Sequence, residues 1–252
     1  MITRAELAVY LRDFLDCENF NDYAPNGLQI EGKETIERIC TAVTASEEAI
    51  QKAVFLQADA LLVHHGFFWR GEDPVICGLK RKRIAPLLTN DINLFAYHLP
   101  LDCHPDLGNN ACLAELLALE SVQMHRAGKT LNLLWSGHLA KPLMAGDLAK
   151  YLGEKLKREP LHVSGSDKPI SQLAWCTGAA QDFIVDAHQL GVDAYLSGEI
   201  SERTFYEAKE LGLHYFACGH HATERYGIQA LGNHLSARFD LSHQFIDSAN
   251  PV

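Results

Sequence analysis

No stretch of the chain approaches the roughly 20 consecutive apolar residues that a bilayer-spanning helix needs. The opening segment, MITRAELAVYLRDFLD, reads as an amphipathic helix without a long apolar run or a small-residue cleavage site, so no secretory leader is expected. The seven cysteines (Cys17, Cys40, Cys77, Cys103, Cys112, Cys176 and Cys218) are odd in number and scattered, and none forms a CxxC pair. That excludes a disulfide framework and a thiolate zinc knuckle, and it points to small core residues in a reducing cytoplasm. Positive charge is in deficit: the net charge is −10 with histidines neutral. This argues against nonspecific binding to nucleic acid or to an anionic membrane, both of which want a basic patch. There is no G-x-x-x-x-G-K-[ST] loop for phosphates and no low-complexity run. What is present is ordinary for a soluble globular chain: 252 residues, 47% apolar and 21% charged. That suffices for one large domain or two modest ones.

The hydrophobic pattern alternates strands and helices. Ile39–Thr44 reads as a strand and Ser46–Leu56 as a helix, with Ser46 as its N-cap and Ala49, Ile50, Ala53 and Val54 on its apolar face. The uninterrupted run Ala60–Val63, ending at His64-His65-Gly66, suits a strand buried on both faces. Ile84–Leu88 and Cys112–Leu119 read as helices and Leu94–Tyr97 as a strand. Such a rhythm implies an α/β fold with a parallel or mixed sheet.

The second half echoes the first. AIQKAVFLQADALLVHHG (Ala49–Gly66) matches FIVDAHQLGVDAYLSGEI (Phe183–Ile200) at a constant offset of 134, with Ile50 on Ile184, Ala53 on Ala187, Leu56 on Leu190, Asp59 on Asp193, Ala60 on Ala194 and Leu62 on Leu196. A second echo follows each unit: His98 and Asp102 are four apart, as are His220 and Glu224, at an offset of 122. An internal duplication is the reading preferred over two units that look alike because they share a job. The expectation is an α/β protein of two similar, duplicated units, 1–125 and 126–252, interlinked, with mixed sheets flanked by helices and a metal site in the cleft between them. Gly128–Pro169, which includes a helix at Ala145–Leu156 and the polar stretch HVSGSDKP, opens the second unit.

Open α/β folds place their sites at the ends of sheet strands. Four polar clusters fall there: His64-His65, His98…Asp102, Gly198-Glu199 and His220…Glu224. Imidazole and carboxylate suit zinc, manganese or iron, and a carboxylate bridges two cations about 3.5–4 Å apart in dinuclear hydrolytic centres. Each pair alone is weak. Adjacent strand residues point to opposite faces, so His64 and His65 serve one site only if the chain turns there, and Gly66 permits such a turn. Read alone, the dipeptide fits one buried structural histidine beside one exposed one, and an i,i+4 His/Glu pair is common on solvated helices. Thirteen histidines also make chance pairings easy.

Four segments carry a resemblance that spans essentially the whole chain: PNGLQIEG, LLVHHGFFW, AYHLPLDCHPDLGNNACLA and GHHATERYGIQALGNHL. Together they resemble the GTP cyclohydrolase I type 2 homologue family of dinuclear-metal proteins. The resemblance implies that His64, His65, Asp102, His220 and Glu224 are the ligands of two divalent ions (zinc, manganese or iron), with Glu224 as the natural bridge, a role Asp102 could share. His220 matches the histidine directly after the motif's glycine, Gly219, so His220 is the expected ligand and His221 is not. His98 and Glu199 are expected behind the ligands or facing substrate, and His104 and His221 to bond locally or face solvent. The resemblance also implies a ring-shaped homohexamer with the sites facing an inner cavity.

The implied activity is metal-dependent hydrolysis of a nucleotide or related heterocycle, with ring opening of the GTP cyclohydrolase kind. Arg70, Lys80–Arg83 (KRKR) and Arg225 are candidates for substrate phosphates, although KRKR also fits a solvated basic turn. Two alternatives stay open. One is a two-metal phosphoesterase or amidohydrolase with another substrate. The other is a non-catalytic metal-dependent ring that binds a protein or nucleic acid partner.

Overall fold

A computed structural model describes residues 1–252, and the chain divides into two compact units. The first comprises Met1–Leu101 and Gly227–Ala249, the second Asp102–Tyr226 and Asn250–Val252. The first unit is built on a five-stranded sheet in the order Ser242–Phe245, Arg38–Thr44, Ala60–His65, Asn93–Ala96, Gly27–Ile30. Its first three pairings are parallel and the last is antiparallel. The second unit has a six-stranded sheet in the order Glu120–Ala127, Thr130–Leu143, Ile170–Trp175, Ala194–Ser197, His214–Ala217, Leu161–Val163, whose third and fourth pairings are parallel. Both sheets are mixed and flanked by helices, as the alternating pattern predicts. No helix is long and apolar enough to cross a membrane.

Local chemistry explains the elements. The helix Glu47–Phe55 begins where Ser46 Oγ accepts from the Ala49 amide, and it packs Ala49, Ile50 and Ala53 into the first core. In the second unit the helix Ala145–Leu156 presents Leu148, Leu152 and Leu156 at helical spacing to a core that contains Leu173, Trp175 and Phe216.

The sheet register gives the 134-residue echo a physical meaning. Ile39, Cys40 and Thr41 pair with Ala60, Leu61 and Leu62; Leu173, Ala174 and Trp175 pair with Ala194, Tyr195 and Leu196. Every member of the second set is the first advanced by 134. The matched aspartates do the same work. Asp59 accepts from the backbone amides of Glu37 and Arg38 at 3.0 and 2.9 Å, and Asp193 from those of Ser171 and Gln172 at 2.8 and 2.9 Å. Each carboxylate thus ties the entry of one strand to the entry of its neighbour. The third strand follows at a different offset: Ala60 pairs with Asn93 and Ala194 with His214, 121 apart (214 − 93). The 122-residue echo of His98 and His220 is one residue out of step with that register.

Three features differ from the sequence expectation. The division does not fall at 125. It falls at Leu101/Asp102, and the first unit takes back Gly227–Ala249, because Ser242–Phe245 completes the edge of its sheet against Arg38–Thr44. Thr41 Oγ1 and His243 Nε2, 2.8 Å apart, and Tyr10 Oη and His234 Nε2, 2.6 Å apart, reinforce this return. Asp102 accordingly belongs to the second unit. Next, KRKR is not a turn. It lies in the helix Gly78–Thr89, which tolerates Pro86 inside it. Finally, the segment before Ala145 is a long antiparallel hairpin, Glu120–Ala127 with Thr130–Leu143.

Candidate metal-binding residues

In the first unit the strand Ala60–His65 is buried from Ala60 to His64 and delivers His64 and the partly exposed His65 at its end. Gly66 follows for lack of space and not for a left-handed turn. A Cβ there would collide with Gln29 Oε1 and lie 2.5 Å from the Ala96 Cβ. Gln29 in turn accepts from the Phe67 amide at 2.7 Å and donates to the Phe67 carbonyl at 3.1 Å, which fixes the exit of the strand. The His64 and His65 rings have centroids 4.6 Å apart, and His98 joins them at 5.1 and 5.8 Å. One nitrogen from each of the three lies within 4.8 Å of the others.

The partners of the opposite nitrogens orient these rings. His64 Nδ1 donates to the Tyr97 carbonyl at 2.9 Å, and His98 Nδ1 to the Asp22 carboxylate at 2.9 Å. Both acceptors lack a proton, so Nδ1 is the donor in each ring, the way second partners orient metal-binding histidines. His65 Nδ1 is 3.2 Å from the Thr44 hydroxyl. Asp22, which the sequence reading missed, is the residue that orients His98. It also accepts from the Leu99 and Tyr23 amides and from Asn26 Nδ2. Burial pushes its carboxyl up, but the hydrogen bond and charge of His98, with these other donors, reverse that and hold it at about 2. Asn26, from the PNGLQIEG segment, accepts from the His98 amide at 2.7 Å.

In the second unit, Asp102 and Glu224 are 4% and 2% exposed, and a carboxylate oxygen of one lies within 4.8 Å of a carboxylate oxygen of the other. Two ionised carboxylates at that separation repel by roughly 3 kcal/mol at an effective dielectric near 20, a repulsion that a cation or a shared proton relieves. His220 offers a positive charge beside them. Its Nε2 is 3.1 Å from Glu224 Oε2 and its Nδ1 2.7 Å from Glu199 Oε1. Burial pushes the imidazole down, yet the hydrogen bonds and charges of Glu224 and Glu199 lift it to about 9. Glu199 therefore stands behind His220 as Asp22 stands behind His98.

The surroundings are built for these carboxylates. Asp102 Oδ1 accepts from Asn109 Nδ2 at 2.8 Å and from the Thr177 hydroxyl at 3.2 Å. Asn110 donates to the Asp102 carbonyl and accepts from the Thr177 amide. Gly178, with φ of +71°, passes so close that a Cβ would strike Glu224 Oε1 and lie 3.2 Å from His220 Nε2. The Thr223 hydroxyl donates to the Gly219 carbonyl and accepts from the Gly178 amide, joining this loop to the start of the helix His220–Phe239. Asn109, Asn110, Thr177 and Gly178 were not expected; the paired asparagines of GNNACLA were the one available signal.

The remaining candidates lie around these sets. His104 Nδ1 accepts from the Asp106 and Leu107 amides and so organises its own loop, and the His221 amide donates to the Val252 carbonyl. Arg70 donates to the Asp22 carbonyl at 2.9 Å, and Arg225 lies over the Tyr226 ring. Cys176 is fully buried, and burial first, then the charge of Asp102, pushes its thiol well up. The available donors are therefore imidazole and carboxylate, which fit a borderline divalent ion such as zinc, manganese or iron.

Comparison with known proteins agrees along the whole chain. The family model described as Duf34/NIF3 (NGG1p interacting factor 3) matches residues 2–251. A protein of Escherichia coli K12 called GTP cyclohydrolase 1 type 2 homolog is 49% identical, over 98% of this chain and 98% of its own length. One of the same description from Pseudomonas aeruginosa is 49% identical over 95% of this chain and 94% of its own. Among solved structures, protein ybgI, described as of unknown function, superposes with a TM-score of 0.95 at 48% identity, covering all of both chains. A Thermus thermophilus protein follows at 0.91 and 33%, also covering all of both chains.

Proposed function

The chain belongs to the Duf34/NIF3 (NGG1p interacting factor 3) family, and from that premise we propose that it is a metal-dependent hydrolase of a nucleotide or related heterocycle. His64 and His65 in the first unit and Asp102, His220 and Glu224 in the second are the proposed ligands of two divalent ions. The observation that carries the reading is the pair of buried carboxylates, Asp102 and Glu224, within 4.8 Å of each other and beside a histidine. Divalent ions held there would supply Lewis acidity and acidify water.

The chain's own residues have defined parts in this reading. Asp22 and Glu199 fix the rings of His98 and His220, and Asn109 and Thr177 fix the Asp102 carboxylate. Loading an ion on His220 requires its proton to leave, so metal uptake releases acid. Arg70, tethered to Asp22, is the candidate on the first unit's loops for a substrate phosphate. The repeated strand register supports an internal duplication behind the two units. We place the protein in the cytoplasm as a ring-shaped homohexamer, a state that sedimentation velocity reads directly.

The test is elemental analysis of the purified full chain, followed by a panel of nucleotides and phosphoesters with metal-loaded wild type, Glu224→Ala and His64→Ala. Two equivalents of metal and turnover that both variants lose are expected. Trace metal with no uptake on adding Mn, Zn or Fe would sink the proposal. Full loading without turnover on any substrate would leave a non-catalytic metal protein.

A further inference from the structure

The first unit carries a partly exposed aromatic pair beside its three-histidine cluster. Tyr23 and Trp69 come from two loops that main-chain bonds stitch together: the Arg70 amide donates to the Tyr23 carbonyl at 2.8 Å, and the Arg70 guanidinium to the Asp22 carbonyl. Their ring centroids are 5.6 Å apart with planes tilted by 36°. Both rings meet His98 nearly edge to face, at 5.0 Å and 72° for Tyr23 and at 5.1 Å and 83° for Trp69. Trp69 is also 6.0 Å from His65. The pair is a wall that stands close to perpendicular to a ring of the three-histidine cluster.

Three observations single this wall out. Tyr23 is 53% exposed and Trp69 is partly exposed, whereas Trp135 and Trp175 are buried. The buried indoles satisfy their N–H groups, Trp135 on the Asn132 carbonyl and Trp175 on the Asn110 carbonyl, but the Trp69 Nε1–H has no acceptor in the protein. The loop that presents Trp69 is also pinned at some conformational cost. Phe68 sits at φ of +67°, a region bulky side chains avoid. The Phe68 amide donates to Glu72 Oε2 and the Glu72 amide to the Trp69 carbonyl. A partly exposed indole on a pinned loop, with an unused donor on its edge, matches a flat partner that has π-faces and acceptor atoms.

We propose that Tyr23 and Trp69 bind a planar heteroaromatic ring of the nucleobase kind by stacking, with the Trp69 N–H donating to an acceptor on the ring's edge. The inference rests on the metal-centre reading for what the ring is presented to, but the binding itself needs no metal. Stacking on one aromatic side chain is worth about a tenfold or greater change in affinity.

Trp135 and Trp175 are buried and also emit, so the reporter of Trp69 is the part of the tryptophan emission that Trp69→Phe removes. In chelator-treated, full-length protein, guanosine is expected to quench that emission saturably, while ribose 5-phosphate leaves it unchanged. Tyr23→Leu should weaken guanosine binding about tenfold or more by the same signal. By calorimetry, Trp69→Leu should do the same, and Trp69→Phe, which keeps a stacking face, should stay within a few-fold of wild type. Absence of quenching by guanosine, or unchanged affinity in both leucine variants, would overturn the inference. Ring binding without any metal-dependent turnover supports the wall and removes the hydrolase reading. Turnover of a phosphoester by protein that does not bind guanosine does the reverse.

Discussion

The two units share a frame and differ at its ends. In both, a strand, a helix and a parallel strand are held in the same register, and an aspartate on the loop into the second strand bonds the same two amides. At the strand exit the match stops: His64-His65 in the first unit stands where the second has Gly198-Glu199. Gly198 is required there, because a Cβ would lie 2.6 Å from the Gly178 carbonyl oxygen and 2.7 Å from the His220 Cα. The third strand's exit then supplies one histidine per unit, each backed by a carboxylate, but from different sources. Asp22 reaches His98 from an N-terminal loop, whereas Glu199 reaches His220 from the neighbouring strand's exit. Packing and backbone pairing preserve the frame, and the chemistry is set by what the loops add to it.

Removing metal is the strongest way to press on that difference. Ions bound only by the native state at 100–1,000 times Kd stabilise it by about 3–4 kcal/mol. Chelation should then lower the melting temperature of metal-loaded protein by on the order of 10 °C, as scanning calorimetry reads. An unchanged melting temperature would mean that the carboxylate pair holds no ion. A narrower contrast is between a ligand and an orienting residue. Glu224→Ala should weaken metal binding more than His98→Ala, for which a loss of about 10–100-fold is expected of a residue behind the ligands. Equal losses in metal titrations would make His98 a ligand, a result its place beside His64 and His65 makes worth seeking.

The shared aspartates test the frame itself. Asp59→Ala and Asp193→Ala each leave two strand-entry amides without their charged acceptor, and each should cost about 2–3 kcal/mol in urea unfolding. Asp59 also holds Lys33 Nζ at 2.6 Å, a part-exposed pair worth at most about 1 kcal/mol more. Losses that differ by several-fold would show that the repeated register hides different energetics.

The smallest effects are in pH, and the two units should answer in opposite directions. The Asp22 carboxyl is depressed to about 2, so its contribution is fully present above the unfolded value near 4 and is lost as pH falls from there through 2. His220 is raised to about 9 in the metal-free protein, so its contribution is full below its unfolded value near 6.5 and is lost as pH rises through 9. Asp22→Asn should flatten the acid limb alone and Glu199→Gln should weaken the alkaline limb alone. A cross-effect in stability measured against pH would contradict the separate assignments.

Much of the frame was readable from residue order. Buried parallel strands are continuous apolar runs, so Ala60–Val63 and Ile39–Thr44 stand out, and Ser46 marks its helix as a cap should. The edge strands were not readable. Ser242–Phe245 is a short, mostly polar segment with an alternating exposed and partly buried pattern, and only its partner Arg38–Thr44 makes it a strand. The hairpin strand Glu120–Ala127 is exposed along nearly its whole length, so no period marks it. At the site, the histidines and carboxylates announce themselves as residue types. Asp22 and Gly178 do not, because their roles depend on contacts 76 and 46 residues away in the chain, with His98 and Glu224.

The return of the chain's end to its beginning sets a timetable for synthesis. Ser242 pairs with Arg38, 204 residues earlier. At about 5–20 residues per second, a ribosome leaves Arg38–Thr44 without its outer neighbour for roughly 10–40 s. During that interval the apolar segment ICTAV is an open sheet edge, a template for pairing with any other extended chain. The last strand, modest in sequence, is therefore the piece that closes the edge, and loss of the final dozen residues would be felt first in solubility during expression.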